Sequence, residues 1–403
     1  MKESRNKMTN VPNLRFPEFE GEWETRAFSD IGTFFKGIGI SKEQLTEEGT
    51  PCILYGELYT KYKNEVIKEV KSKTSINTNG LVFSKANDVI IPSSGESAID
   101  ISTACCVTLD NILLGGDLNV IRPKKHNGSF ISYQLNGKRK YDIAKIAQGS
   151  SIIHLYNDSL NKIKINVPRD IKEEDKIVVM LSLLDDRIST QIQIINNLQS
   201  LIKGLIQTLV FENRIGWRKQ YLRDILAERK ELNEKSYPIY SVAVNKGVVN
   251  QIEHLGRSFA AQNTTNYNVV RYGDIIYTKS PTGSFPYGII KQSFVEYPVA
   301  VSPLYGVYRP VNIYLGNILH HFFNSPVNTN NYLHSLIQKG AKNTISITNQ
   351  RFLDKELFLP TDKKEIERIH FSLSAIQNKI ELENKIKELL VKQKKYLLAN
   401  IFI

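Results

Sequence analysis

Cysteine is nearly absent from the 403 residues. Only Cys52, Cys105 and Cys106 occur, and two of these are adjacent. Neighbouring cysteines rarely form a structural disulfide, and no CxxC or Cys/His spacing suggests zinc, so a reduced cytosolic protein without metal is expected. No run reaches the ~18 apolar residues of a membrane span. Met1 to Asn13 is polar and lacks the apolar core of a signal peptide. Catalytic signatures are missing too. An adenine methyltransferase needs an (Asn/Asp/Ser)-Pro-Pro-(Tyr/Phe) loop, and Ser280-Pro281-Thr282-Gly283 comes closest without matching it. There is no GxxxxGK[ST] phosphate loop. The seven histidines form no HExxH or triad pattern, and His320-His321 reads as a surface or core pair. Pro168-Arg169-Asp170 followed by Glu174-Asp175-Lys176 has a nuclease-like spacing, but it sits at a helix start, where capping accounts for the acids.

What is present is length, charge and repetition. The chain is too long for one ordinary domain. Apolar residues at 41% and charged residues at 23% allow real cores. Lysine and arginine outnumber aspartate and glutamate by 53 to 41, a net +12 that favours a polyanionic partner without proving one.

The sequence is written twice. Trp23 to Ile31 reappears as Trp217 to Ile225, and Asn87-Asp88-Val89-Ile90 as Gly273-Asp274-Ile275-Ile276. Val120-Ile121-Arg122-Pro123 returns as Val307-Tyr308-Arg309-Pro310, and Pro168 to Glu173 as Pro360 to Glu365. Order is kept at an offset of about 190 residues. The expected division is a domain over 1–168, a spacer helix over 169–213, a second domain over 214–361 and a second helix over 362–403. Short β-branched and aromatic runs broken by Gly, Pro, Asn and Ser make each globular part β-rich with some helix, an α+β fold.

The second part of each copy carries a heptad seam. In the first it runs Ile177, Leu181, Leu184, Ile188, Gln191, Ile195, Leu198, Ile202, Leu205, Leu209; in the second Ile369, Leu373, Ile376, Ile380, Glu383, Leu390, Leu397, Ile401. Gln191 and Glu383 hold equivalent places, where a polar group can set register. Lys387 and Lys394 interrupt the later seam, so packing is expected to shift there to Ile386 and Leu389. Asp170 with Glu173, and Asp362 with Glu365, have capping-box spacing. Two helices of about 40 residues, each about 60 Å long, would pair antiparallel. Val178, Leu183, Ile192 and Ile194 would be left for other helices.

Two similar domains on a rigid spacer make a caliper, and a basic caliper fits duplex DNA with a split target, since half-site spacing follows protein geometry. At this point the chain resembles the specificity subunits of type I restriction-modification systems. The resemblance rests on Val11 to Trp23, on Gln148 to Leu155, on Leu201 to Phe211 and on Leu389 to Ile403. It implies two target-recognition domains, a bipartite target with a nonspecific gap, and assembly with two methyltransferase subunits and with translocase-nuclease subunits. It also implies that S-adenosylmethionine, ATP and Mg belong to those partners, with no cofactor in this chain.

Phosphate contacts supply affinity and a few polar side chains at base edges supply specificity. Candidates in the first copy are Lys36, Lys61, Lys63, Ser93, Ser94, Glu96, Arg139, Ser150 and Ser151. In the second they are Lys246, Arg257, Lys279, Ser280, Thr282, Tyr305, Lys342 and Asn343. Ser93/Ser94 and Lys279/Ser280 follow equivalent strands, whereas Trp23 and Trp217 read as core anchors. Two rivals are a self-sufficient methyltransferase or nuclease with duplicated domains, which the missing motifs oppose, and a coiled-coil linker, which leaves the two β-rich domains unexplained.

Overall fold

The computed structural model describes residues 10–62, 64–211, 216–257, 261–339 and 345–403. They fall into two compact units, one of Met1–Ile192 with Lys385–Ile403, the other of Gln193–Asn384.

Both repeats build one frame. The first and last strands of each pair antiparallel, Glu24–Ala27 with Lys164–Val167 and Trp217–Tyr221 with Glu356–Pro360. In the first repeat the main sheet runs Gly32–Lys36, Leu118–Pro123, Asp88–Pro92, Cys105–Val107, with Val66–Ile67 added at the edge. The second runs Leu226–Glu228, Gly306–Pro310, Ile275–Tyr277, Ile290–Gln292. Even the register is repeated: Val120 faces Ile90 and Ile121 faces Val89, as Val307 faces Ile276 and Tyr308 faces Ile275. The echoed tetrapeptides are thus neighbouring strands in both copies. Their β-branched and aromatic side chains are buried, which suits strands covered on both faces. Each sheet is followed by a helix with an asparagine cap: Asn127 accepts from Ser129 N–H and Phe130 N–H, and Asn312 from Tyr314 N–H and Leu315 N–H. The repeats part company in their additions. The first carries a four-stranded sheet (Leu113–Leu114, Thr50–Ile53, Ser72–Thr74, Leu45–Thr46); the second has the ribbons Tyr240–Ala243 with Gly247–Asn250 and Asn268–Val270 with Val299–Val301.

The aspartate shared by the two copies is buried in both and needs a cation. Asp88 is gripped by Arg122 at 2.8 and 2.7 Å, with the guanidinium 5.0 Å from the Phe35 ring. Asp274 is gripped instead by Arg229, at 2.6 and 2.9 Å. Register places Arg229 where the first repeat has Phe35, so the matching arginine, Arg309, is released and exposed.

The long helices span Ile171–Phe211 and Lys363–Ile401, 41 and 39 residues. At each start one half of the expected capping box forms. Asp170 accepts from Lys172 N–H and Asp362 from Glu365 N–H, both at 2.9 Å, but Glu173 turns to Arg15 and Glu365 to Arg368 rather than back to the cap. Both tryptophans are core residues, Trp23 lying 5.6 Å from the Phe130 ring and Trp217 5.9 Å from that of Phe358.

In each unit the beginning of one long helix meets the end of the other, running antiparallel. In the first, Ile177 and Leu181 share a core with Leu397, Ile401 and Phe402; in the second, Ile202, Leu205 and Ile206 share one with Ile366, Ile369 and Leu373. Burying each such side chain contributes roughly 1.5–3 kcal/mol. Leu184, Gln191, Ile195, Ile380, Glu383 and Leu390 are buried, while Ile188, Leu198 and Ile376 are half-buried; the side chain of Leu209 lies outside the described residues. Ile206 and Ile366 join the buried set without belonging to the seam read from the sequence. Val178 packs into the first core instead of facing out.

Of the two residues expected to take over the packing, Ile386 is half-buried and Leu389 is 64% exposed. Lys394 instead enters the interior as an ion. Its ammonium sits 2.5 Å from both Glu65 and Asp185, and Tyr133 donates to Asp185 at 2.7 Å. Burial opposes the lysine charge, but the two carboxylates outweigh it and hold its pKa above the ordinary value; burial raises that of Glu65. Removing one partner of such a cluster strands the others. Lys394→Met should therefore lower unfolding free energy, measured in urea, by about 3–5 kcal/mol. Adding Glu65→Gln and Asp185→Asn to it should restore most of that stability, and a near-neutral single substitution would show that the cluster is not closed.

Candidate nucleic-acid interface

In the first repeat, one loop gathers several of the predicted contacts. Gln148 N–H donates to His154 O at 2.9 Å and His154 N–H to Gln148 O at 2.7 Å, closing a tight hairpin whose tip holds exposed Ser150 and Ser151. Strand Ile153–His154 pairs with Ser94–Gly95, and a 3.2 Å hydrogen bond joins Ser94 Oγ to His154 Nδ1. The His154 ring lies 6.2 Å from that of Tyr156, at 26° between planes, and the Lys36 ammonium stands 5.8 Å from the Tyr156 centroid. Asn119 donates to Leu155 O at 2.9 Å and Asn157 to Phe35 O at 3.2 Å, tying the loop to the main sheet. The product is a shelf of cation, aromatic, imidazole and hydroxyls, with half-exposed Tyr156 and exposed Ile152 on its surface. Such a surface can hold phosphate at Lys36 and offer stacking or hydrogen bonds to a base.

Other candidates are placed differently. Ser93 and Ser94 are buried, and among the described residues Ser94 reaches only the His154 ring. Lys61 is exposed but already paired, 2.5 Å from Glu57 and 2.7 Å from Ser72. Glu96 is exposed just beyond strand Ser94–Gly95, and Arg139 lies away from the shelf, where the helix preceding the loop begins. In the second repeat Lys279 is half-buried at φ +60°, burial lowers its pKa, and Ser280 and Thr282 are exposed beside it. Lys246 occupies the tip of the ribbon joining Ala243 to Gly247, and Arg257 follows helix Gln251–Leu255; both are exposed and belong to elements separate from Lys279. Tyr305 packs against the Tyr240–Val299 core, so its hydroxyl pKa is raised by burial. Lys63, Lys342 and Asn343 lie outside the described residues.

The acids with nuclease-like spacing are consumed structurally. Asp170 accepts from Lys172 N–H at 2.9 Å, Glu174 takes His126 Nδ1 at 2.6 Å and Asn127 N–H at 2.8 Å, and Asp175 accepts from the Asn127 side-chain amide at 2.8 Å. His321 is buried and His320 half-buried; burial depresses both, His321 to about 4, and His320 Nδ1 accepts from Gln292 N–H. Among the described residues no group of three His, Cys, Asp or Glu is placed to hold a metal, and no helix is long and apolar enough to cross a membrane.

His154 and Tyr156 escaped the sequence reading. Their signal was an aromatic pair closing a segment already singled out by Gly and Ser, but only the fold shows Lys36 over the Tyr156 ring.

Residues 20–200 match the model of the type I restriction modification DNA specificity domain. The fold of the chain is similar to that of the type I restriction-modification S subunit from M. genitalium, at TM-score 0.62 and 14% identity over 98% of this chain and 99% of that one. A second similar structure comes from work on complex assembly and conformational transition of the type I R-M system, at TM-score 0.53 and 13% identity over 94% of this chain and 97% of that one. No curated protein sequence matches the chain.

The loop depends on Gly149, which has φ +129° and whose added Cβ would lie 2.0 Å from Ile152 O. Gly204, in mid-helix, has open space around it. Gly149→Ala should therefore destabilise by about 1–3 kcal/mol, whereas Gly204→Ala should stabilise by about 0.5–1 kcal/mol. Urea titrations decide this, and the same sign for both substitutions would contradict the loop geometry.

Proposed function

We propose that this chain is the non-catalytic, DNA-reading subunit of a type I restriction-modification complex, and that each repeat reads its own half of a bipartite, asymmetric target. The observation that carries the reading is one frame built twice with unlike exposed surfaces: His154, Tyr156 and Lys36 on the first, Lys279, Ser280 and Thr282 on the second. Equal frames suit equal placement on a duplex, and unequal surfaces suit unequal half-sites.

Docking of partner subunits is supported by the helices. Val179, Leu183, Ile194 and Leu201 are exposed on one, and Phe371, Leu382, Leu389 and Tyr396 on the other, at spacings that return to one face of a helix. Val179 and Phe371 hold equivalent places in the two repeats. Two similar stripes suit two copies of one partner, the methyltransferase subunits, with the translocase-nuclease joining for restriction. S-adenosylmethionine, ATP and Mg are assigned to those partners. The chain works where its DNA is, in the cytoplasm.

Mixing tests the assignment. Chain alone should neither methylate nor cut DNA, and adding it to the partner methyltransferase should produce methylation at a split target; activity from the chain alone would favour a self-sufficient enzyme. A second test concerns spacing. Inserting about four residues near Gln199, about one helical turn, should lengthen the nonspecific gap while leaving both half-sites as they were. An unchanged gap from a folded protein would remove the spacer role.

A further inference from the structure

Apart from the shelf, an open pocket of about 280 Å³ is lined by the elements that precede and follow the loop. Its walls are Arg139, at the start of helix Lys140–Ile146; Ser159, on helix Asn157–Leu160; and Lys162 with Lys164, where the closing strand begins. These elements flank the loop on both sides in sequence. Three cations meet one carboxylate, Asp142, and Ile163 forms an apolar floor.

Arg139 is the unusual member. Its side chain is 21% exposed, its only ion pair among the described residues is the 3.3 Å contact with Asp142, and its Nε is fully buried with no acceptor. A guanidinium carries five N–H donors, and a buried donor left without a partner is costly. Lys162 and Lys164 are exposed and are held by no carboxylate among the described residues. Geometry and charge therefore leave room for an oxyanion with several acceptor oxygens.

We propose that this pocket binds a backbone phosphodiester of the DNA duplex, Arg139 and the two lysines neutralising it and Ser159 donating a hydroxyl, so that the strand is anchored whatever its sequence. The proposal rests on the DNA-reading function above and adds a sequence-independent contact to it. Free phosphate shares the chemistry, and the test separates the two sources.

The full chain is titrated with a fluorescent duplex over a range of salt, and log Kobs is plotted against log salt. Every phosphate that a variant no longer neutralises flattens the slope by about 0.9. Arg139→Gln and the Lys162→Gln, Lys164→Gln pair should each flatten it, by at most the amount for about one phosphate, equally on target and unrelated duplex. The lysine pair is exposed, so it keeps the test alive should Arg139→Gln fail to fold. In parallel, inorganic phosphate is added at constant ionic strength and the melting temperature is followed. Unchanged slopes in variants of a chain that binds duplex would overturn the pocket assignment, and stabilisation by phosphate that Arg139→Gln abolishes would then identify a free-anion site. A wild-type chain that bound no duplex at any salt would instead sink the DNA-reading function itself, and the pocket with it.

Discussion

A helix of 41 residues with an apolar stripe along it cannot stay single in water, and much of this protein follows from that constraint. In each unit the stripe is covered by the opposite end of the other long helix, together with the adjoining globular core. Ile177 therefore packs in a cluster with Ile401, although the whole second repeat lies between them in sequence. Closure over such a separation has a substantial entropic cost, offset only when the contacts made are extensive. The N-terminal arm adds to them through Leu14 N–H, which donates to Asn400 O at 3.0 Å, and the closing strand through Asn166, which donates to Ile403 O at 3.0 Å.

The same junction carries the cluster of Lys394, Glu65 and Asp185. A buried ion cluster is a poor source of stability compared with leucines, but it tolerates little error in alignment. It joins an edge strand of the first repeat, the first long helix and the end of the second within one unit. Its contribution is then to fix how the globular frame meets the helices, where a purely apolar seam would permit sliding by a turn.

The periodic features were legible in the sequence because they depend on local spacing alone. Long amphipathic helices, strands such as Asp88–Pro92 and Ile275–Tyr277, and the order of the repeats fall in this class. Partner choice was not legible. Lys394 reads as a break in a heptad because its carboxylates lie far away in the chain, one of them 329 residues off. Glu173 has the spacing of a capping residue, yet Arg15, 158 residues distant, offers a stronger bond. Val178 looked free only because the core that covers it comes from another element. At the site, Gly149, Ser150 and Ser151 announced a loop, but the meeting of Lys36 with Tyr156 depends on how the sheet is ordered, which local pattern does not encode.

The arginine exchange shows what the frame demands and what it leaves free. A buried aspartate at the head of the central strand must be paired in both repeats, because an unpaired carboxylate there would be far more costly than any choice of partner. One repeat meets the demand from Leu118–Pro123 through Arg122, the other from the residue after Leu226–Glu228 through Arg229. The requirement is thus on charge and position, not on a particular residue. Where no such requirement acts, on the loop tips and added ribbons, the repeats share almost nothing. A scaffold under tight internal constraint with an unconstrained rim can change what the rim presents without disturbing its own folding, and two copies can do so independently of each other.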